Sequence, residues 1–388
     1  MRNLVCLCVA AAHLWGQSGT VSRQSDLAAR IREKVIDTLV HQPNYTCLET
    51  VERSQATPAG EILLEDTLRI EVGLIRNKEM FAWPGSKEFD DNDLNLVGSG
   101  MFGNGNFAVY TRMLFFGGGL AFMNQRADTI GGRNTVRFDF QVPQASSDFH
   151  LQTQGREDVA GFHGSFHVDA ETLDLKRLEI IADDIPSELG LTEASDRVEY
   201  GRVQFGDENF LLPVESFSHL ASATFSHRNY VRFSACRKFT GESTLIFIDP
   251  DVPGGGPAEV AVKEVELPVN AELRLLFTAD FDPAKGAVGD SVEARLKVDL
   301  KRGKELIAPK GAIARGRILR LDRYPSQYAL RVRFTDLEWA GGHAPLKAVL
   351  DRVASDSITR DPQSGDIVIP RKGTPRLNSV PMIWKTVR

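Results

Sequence analysis

"LIAPKGAIARGRIL", residues 306–319, decides between two architectures. A lysine beside a glycine after an apolar run invites a phosphate-loop reading, with strand, glycine-rich cradle and helix in an α/β domain. The residues argue otherwise. Gly311 follows Lys310, no hydroxyl residue opens a helix, and the next run alternates like a strand. Pro309 fixes its backbone and cannot donate to a ladder. The stretch therefore reads as two sequential strands of a β-domain, with a turn at residues 309–312, Lys310 in solvent and Gly311 at a positive φ. Alternation predicts Ile313 on the inner face. It also predicts a bulge at Gly316, because Arg315 and Arg317 buried together without partners would cost several kcal/mol.

The same grammar holds on both sides of this stretch. From Val260 on, "ELRLLFTADF", "DSVEARLKVDL", "YALRVRFTDLEW" and "GDIVIP" are strand-like and punctuated by Gly and Pro. Residues 260–388 read as a small β-barrel or sandwich. "DPDVPGGGPAE", residues 249–259, has linker composition and marks a boundary. Upstream, "RNTVRFDFQV", "GSFHVDAETLDLKRLEIIA" and "DRVEYGRVQFGDENFLLPVESFSHL" describe an antiparallel meander, not βαβ units. Residues 25–41 form a helix with Leu27, Ile31, Val35 and Leu39 as its apolar stripe, Ser25 as cap and Pro43 as stop. A short helix is expected around Phe107–Phe116, ended by Gly117–Gly119. The fold class is mainly β, with an α+β first domain over residues 19–248.

The N-terminus reads as an export signal over residues 1–18. "MRN" supplies positive charge and "LVCLCVAAAHLW" an apolar run of signal length. Elsewhere no apolar run reaches the ~18 residues of a membrane helix, so none is expected in the mature chain. The net charge of -6 argues against a nucleic-acid binder. Cleavage would leave Cys47 and Cys236. An even number in an oxidising compartment suggests one disulfide, the alternative being two unrelated buried thiols.

Chemistry is harder to find. "GSGMFGNGNF" lacks the strand and the acidic residue of a dinucleotide site. His163, His167 and Asp169 share one face of a strand and could bind a metal, yet a solvated sheet face is the better reading. No "GxSxG" elbow occurs. No cofactor, metal or catalytic group is expected. The aromatics of residues 81–116 are either core or the lining of an apolar cavity under a helical lid. In the second case Trp83, Phe102, Phe107 and Phe116 are the ligand-binding candidates.

Two resemblances sharpen these expectations. The opening helix, "NYTCLETVERS", "NKEMFAWP", "FHVDAETLDLKRLEI" and "VEYGRVQFGDENFLLP" resemble, in order and character, the outer-membrane lipoprotein carrier and sorting fold (LolA/LolB-like). That resemblance implies a highly curved antiparallel sheet around helices, enclosing a cavity for acyl chains. "VELPVNAELRLLFTADFD", "GAVGDSVEARLKVDL", "LIAPKGAIARGRIL" and "LRVRFTDLEW" look like the barrel domain of TrbI-type conjugation and type IV secretion proteins. It implies a barrel-like envelope module. The expectation is an exported, periplasmic or secreted, non-enzymatic protein that binds a lipid-like or other apolar ligand. A structural or assembly factor docking an envelope protein through its C-terminal module is the alternative. A hydrolase with an unrecognised site is the third.

Overall fold

The computed structural model describes residues 18–57, 60–76, 78–86, 89, 109–116, 121–153, 156–239, 263–373 and 376–388. The N-terminal segment up to residue 17, the linker 249–259, Phe102 and Phe107 lie outside the described residues. The architecture is mainly β, as the alternating runs require.

The first half opens with helix α1 (Ser18–Val40), followed by β1 (Tyr45–Ala56), β2 (Ile62–Ile75), β3 (Lys78–Ala82) and the short helix α2 (Val109–Phe116). Strands β4 (Met123–Ile130), β5 (Arg133–Val142), β6 (Phe149–Thr153), β7 (Arg156–Asp169) and β8 (Leu175–Asp183) come next. The half ends with β9 (Leu191–Phe205), β10 (Glu208–Ser222) and β11 (Ser226–Lys238). They form one antiparallel sheet in the order β3-β2-β1-β11-β10-β9-β8-β7-β5-β4, with β6 on β7. Helix α1 starts before Ser25, so that residue is not its cap: no proline interrupts residues 18–25, and the helix continues through them.

The second half contains β12 (Lys263–Glu264), β13 (Glu272–Phe277), β14 (Ser291–Leu296), β15 (Leu300–Arg302), β16 (Glu305–Ala308), β17 (Ile313–Arg323) and β18 (Gln327–Trp339). It continues with β19 (Gly342–Pro345), β20 (Ala348–Val353), β21 (Thr359–Arg360), β22 (Ile367–Pro370) and β23 (Met382–Thr386). Its main sheet runs β12-β19-β18-β17-β14-β13-β23-β20, with β22 also on β18.

Two cores result. One lies on the concave face of the first sheet, where Ile31, Val35 and Leu39 of α1 and Leu114 and Phe115 of α2 meet Phe138, Phe140, Phe162 and Phe166. The other is shared between the halves: Cys47, Val51, Leu68, Ile70 and Val72 pack with Leu275, Val288, Ile318, Leu330 and Phe334. Backbone bonds reinforce that seam. Arg69 N–H donates to Val288 O and Val288 N–H to Thr67 O, each at 2.8 Å, which covers the edge of β2 that β3 leaves open. Arg69 pairs with Asp290 at 2.6 Å, and Arg323 donates to Thr67 Oγ1 at 2.7 Å.

In the 306–319 stretch the turn falls at residues 309–312, Gly311 has φ +96° and Lys310 is exposed. The expected bulge at Gly316 is not formed in this strand. The register shift beside it leaves Thr335 of β18 as the extra residue, while β17 pairs with β14 without a break from Ile313 to Arg317. The face carrying Arg315 and Arg317 is open enough that none is needed. Two further details differ. Strand β16 pairs with β15 in a separate ribbon and not with β17, because Gly311 and Ala312 bond to Leu296 at the end of β14 and turn the chain away. Ile313 is not the inward residue. The buried row is Ala312, Ala314, Ile318 and Leu321, and Ile313 lies across from Arg295 and Glu338. Arg315 points to solvent between Glu293 and Glu338, while Arg317 is half-buried and donates to Pro84 O at 3.2 Å.

Candidate functional site

Helix α1 carries a second, mixed stripe beside its apolar one. Ile31, Val35 and Leu39 face the sheet and are buried. Ala28, Arg32, Ile36 and Val40 repeat at the same spacing, one position round the helix, and face a cleft. That second stripe is a signal present in the sequence itself. Ala29, Glu33, Asp37 and His41 border the cleft, and Ala121 and Phe122 form its far wall. Its volume is about 810 Å³.

The wall is stiff. Phe122 packs against Phe166 at 4.6 Å and Phe115 at 5.6 Å between ring centroids, and Phe115 lies 5.3 Å from Phe166. Phe138 stacks on Phe166 at 5.4 Å. These edge-to-face and stacked rings are part of the buried core of the first half. The Arg32 guanidinium lies 4.9 Å from the centre of the Phe122 ring, which places a cation over an aromatic face at the cleft. At the C-terminal end of α1, His41 Nδ1 lies 3.1 Å from Asp37 Oδ1. The cleft thus combines apolar surface from Ala28, Ala29, Ile36, Val40, Ala121 and Phe122 with one guanidinium and a rim of acidic and imidazole groups.

Behind α1 lies a polar cluster that is enclosed. Tyr110 OH donates to Asp196 Oδ2 at 2.8 Å, and Thr111 Oγ1 lies 2.5 Å from Tyr200 OH. Glu79 accepts from the N–H of Val109 at the start of α2. Burial pushes the phenols of Tyr45, Tyr110 and Tyr200 well above the ordinary tyrosine value. Burial also raises the Asp196 carboxyl, against the hydrogen bonds from Ser218 and Tyr110. The adjoining space, bounded by Lys34, Thr38, Gln42, Thr111 and Tyr200, is about 20 Å³, room for a single water. Protonated tyrosines in so small a space donate hydrogen bonds and hold α2 to β9; they do not act as bases.

The sequence candidates fall in different places. Trp83 packs on the core shared with the second half, with the Arg317 guanidinium 5.4 Å from its ring. Phe116 is 46% exposed on α2, with Arg112 5.7 Å from its ring. Neither lines the α1 cleft or the enclosed space. Phe102 and Phe107 are among the undescribed residues. Cys47 and Cys236 are bonded as a disulfide. The three metal candidates separate: His163 Nδ1 meets Asp183 at 2.8 Å, His167 Nε2 meets Asp128 at 3.0 Å, and Asp169 accepts the N–H groups of Glu171 and Thr172.

No helix among the described residues is long and apolar enough to cross a membrane. No protein-family model matches the chain, and no curated protein matches it. Among solved structures, the chain is similar to a DUF1329 family protein from Desulfovibrio piger. The TM-score is 0.27 and the identity 13%, over 57% of this chain and 95% of that one. At that level the likeness is distant.

Proposed function

We propose that this chain is an exported, non-enzymatic protein of a bacterial envelope that holds a lipid-like or other apolar ligand along α1. The observation that carries this reading is the cleft: its volume of about 810 Å³ falls within the ~300–1,000 Å³ of small-molecule sites, and its lining is mostly apolar. A ligand chain would lie on Ala29, Ile36 and Val40 against Phe122, with its polar end toward Arg32. The export signal read in residues 1–18 and the Cys47–Cys236 bond both fit an oxidising compartment. The role is akin to that of the lipoprotein carriers the N-terminal half resembles, with the ligand held beside the helix and not among the packed rings.

A docking role for the second half has one observation in its favour. The β15–β16 ribbon stands outside the main sheet and carries Leu306, 52% exposed. A hydrolytic role would centre on the Tyr110–Asp196 cluster, and the enclosure of that cluster weighs against it.

The test is titration with an apolar, environment-sensitive dye, N-phenyl-1-naphthylamine, and its displacement by a long-chain fatty acid. Saturable binding at one site is expected. Ala29→Trp, which fills the cleft, and Ile36→Glu, which charges it, should each weaken binding at least about ten-fold, worth ~1.4 kcal/mol. Non-saturable binding, or unchanged affinity in both folded variants, would reject the proposal.

A further inference from the structure

Strand β4 ends the first sheet, and its edge away from β5 meets no strand among the described residues. Its residues Met123–Thr129 are exposed, so β4 stands clear of the core into which β5 packs Phe138 and Phe140. A free edge of this kind is a template for another strand. The question is which strand fits.

The register of the hairpin answers part of it. Gly131 and Gly132 form a two-residue turn, and Ile130 is opposite Arg133. In such a hairpin the pair flanking the turn is hydrogen-bonded, so the main-chain groups of Ile130, Asp128 and Arg126 face β5. Those of Thr129 and Ala127 face outward; the Thr129 N–H is taken by Asp128 Oδ1 at 2.7 Å, so the Ala127 pair is the one left open. The side chains of Arg126 and Asp128 lie on one face of the strand, either side of Ala127.

Charge supplies the rest. Arg126 is directly opposite Arg137 on β5, a like-charge pair. Its bond to Asp139 is long, 3.5 Å, and Arg137 holds the same carboxylate at 2.9 Å. Arg126 is 51% exposed, and Asp128, whose Oδ2 also meets His167 Nε2 at 3.0 Å, is 44% exposed. We infer that β4 pairs antiparallel with β4 of a second copy of this chain, about a two-fold axis at Ala127. That axis sets Arg126 opposite Asp128 of the second copy, twice, on one face. It also sets the outward N–H and C=O of Ala127 against their own symmetry mates, as a hydrogen-bonded pair demands. Moving the axis one residue either way places Arg126 against Arg126 or Asp128 against Asp128, with main-chain groups that face inward. The shift in register between Met123 and Arg126 ends the straight run, so the joined stretch is short and the dimer concentration-dependent.

The experiment is sedimentation equilibrium of the full chain over a dilution series, with circular dichroism to confirm folding. Wild type should move from twice 42.9 kDa toward 42.9 kDa on dilution. Ala127→Pro removes an outward N–H and should abolish the dimer. Arg126→Asp and Asp128→Arg each set like charges together and should weaken association about ten-fold or more. An equimolar mixture of those two variants restores opposite charges at both positions and should dimerise. A wild type that stays monomeric at every concentration would overturn the inference. So would a dimer that survives Ala127→Pro, or folded charge variants that fail to pair when mixed.

Discussion

Breaking the link between Cys47 and Cys236 tests whether the first sheet is held by its ends. The two cysteines are 189 residues apart in sequence, and they join β1 to β11, which also pair by a ladder from Tyr45–Lys238 to Gln55–His227. The chain-entropy model gives about 5 kcal/mol for a loop this long, and native bridges removed from proteins typically cost 2–5 kcal/mol. Spread over a half of this size, each kcal/mol shifts the melting midpoint by roughly 2–4 °C. The Cys47→Ala/Cys236→Ala variant should therefore melt about 10 °C below wild type. Cys47 is fully buried, so part of that loss comes from the missing sulfur. Reduced wild type keeps the sulfur and isolates the cross-link. Thermal melts of oxidised wild type, reduced wild type and variant separate the two contributions. Equal midpoints for oxidised and reduced wild type, with no free thiol detected at Cys47 or Cys236 in the oxidised sample, would refute the reasoning.

Gly164→Ala should destabilise the first half by about 3 kcal/mol or prevent folding, because a Cβ there would stand 1.9 Å from Glu179 O and 2.7 Å from Phe140 Cζ; a thermal melt reads this. His167 is buried with its Nε2 on Asp128 and its Nδ1 without a hydrogen-bond partner, and burial lowers its pKa from the ordinary ~6.5. Its contribution is complete above about pH 6.5 and is lost as pH falls through the lower folded value, so His167→Gln should flatten the decline of melting temperature below neutrality. A variant that declines as steeply as wild type would remove His167 from the account. Lys310→Ala should change stability by under ~0.5 kcal/mol, whereas Gly311→Val, at φ +96°, should cost more than about 1 kcal/mol in urea unfolding.

Local signals were legible where a few neighbouring residues carry them. Pro309, Lys310 and Gly311 announce their turn, whereas the bulge that Arg315 and Arg317 suggest at Gly316 is not needed, because their face is open and Glu293 and Glu338 pair with Arg315. The spacing of Ile31, Val35 and Leu39 announces a buried helix face. Ile313 defeats simple alternation because the larger residue lies outside and two alanines, Ala312 and Ala314, form the inner row. The seam was beyond reach: Thr67 and Arg69 meet Val288 across more than two hundred residues, and no local pattern records which edge a distant loop covers. The same applies to Trp83, which reads as a cavity aromatic and instead packs on that seam. The cleft was half legible. Ala28, Arg32, Ile36 and Val40 lie at helical spacing, but alanine and arginine do not stand out as an apolar face, and Phe122 arrives from beyond α2.

The most direct measurement for the central claim is photo-cross-linking with a diazirine-labelled fatty acid, followed by peptide mapping of the adduct. The account predicts adducts on the α1 peptides that contain Ala28 to Val40 and on the peptide that contains Ala121 and Phe122, competed away by unlabelled fatty acid and reduced by Ala29→Trp. Adducts confined to the second half, or labelling of α1 that unlabelled fatty acid does not compete, would contradict it.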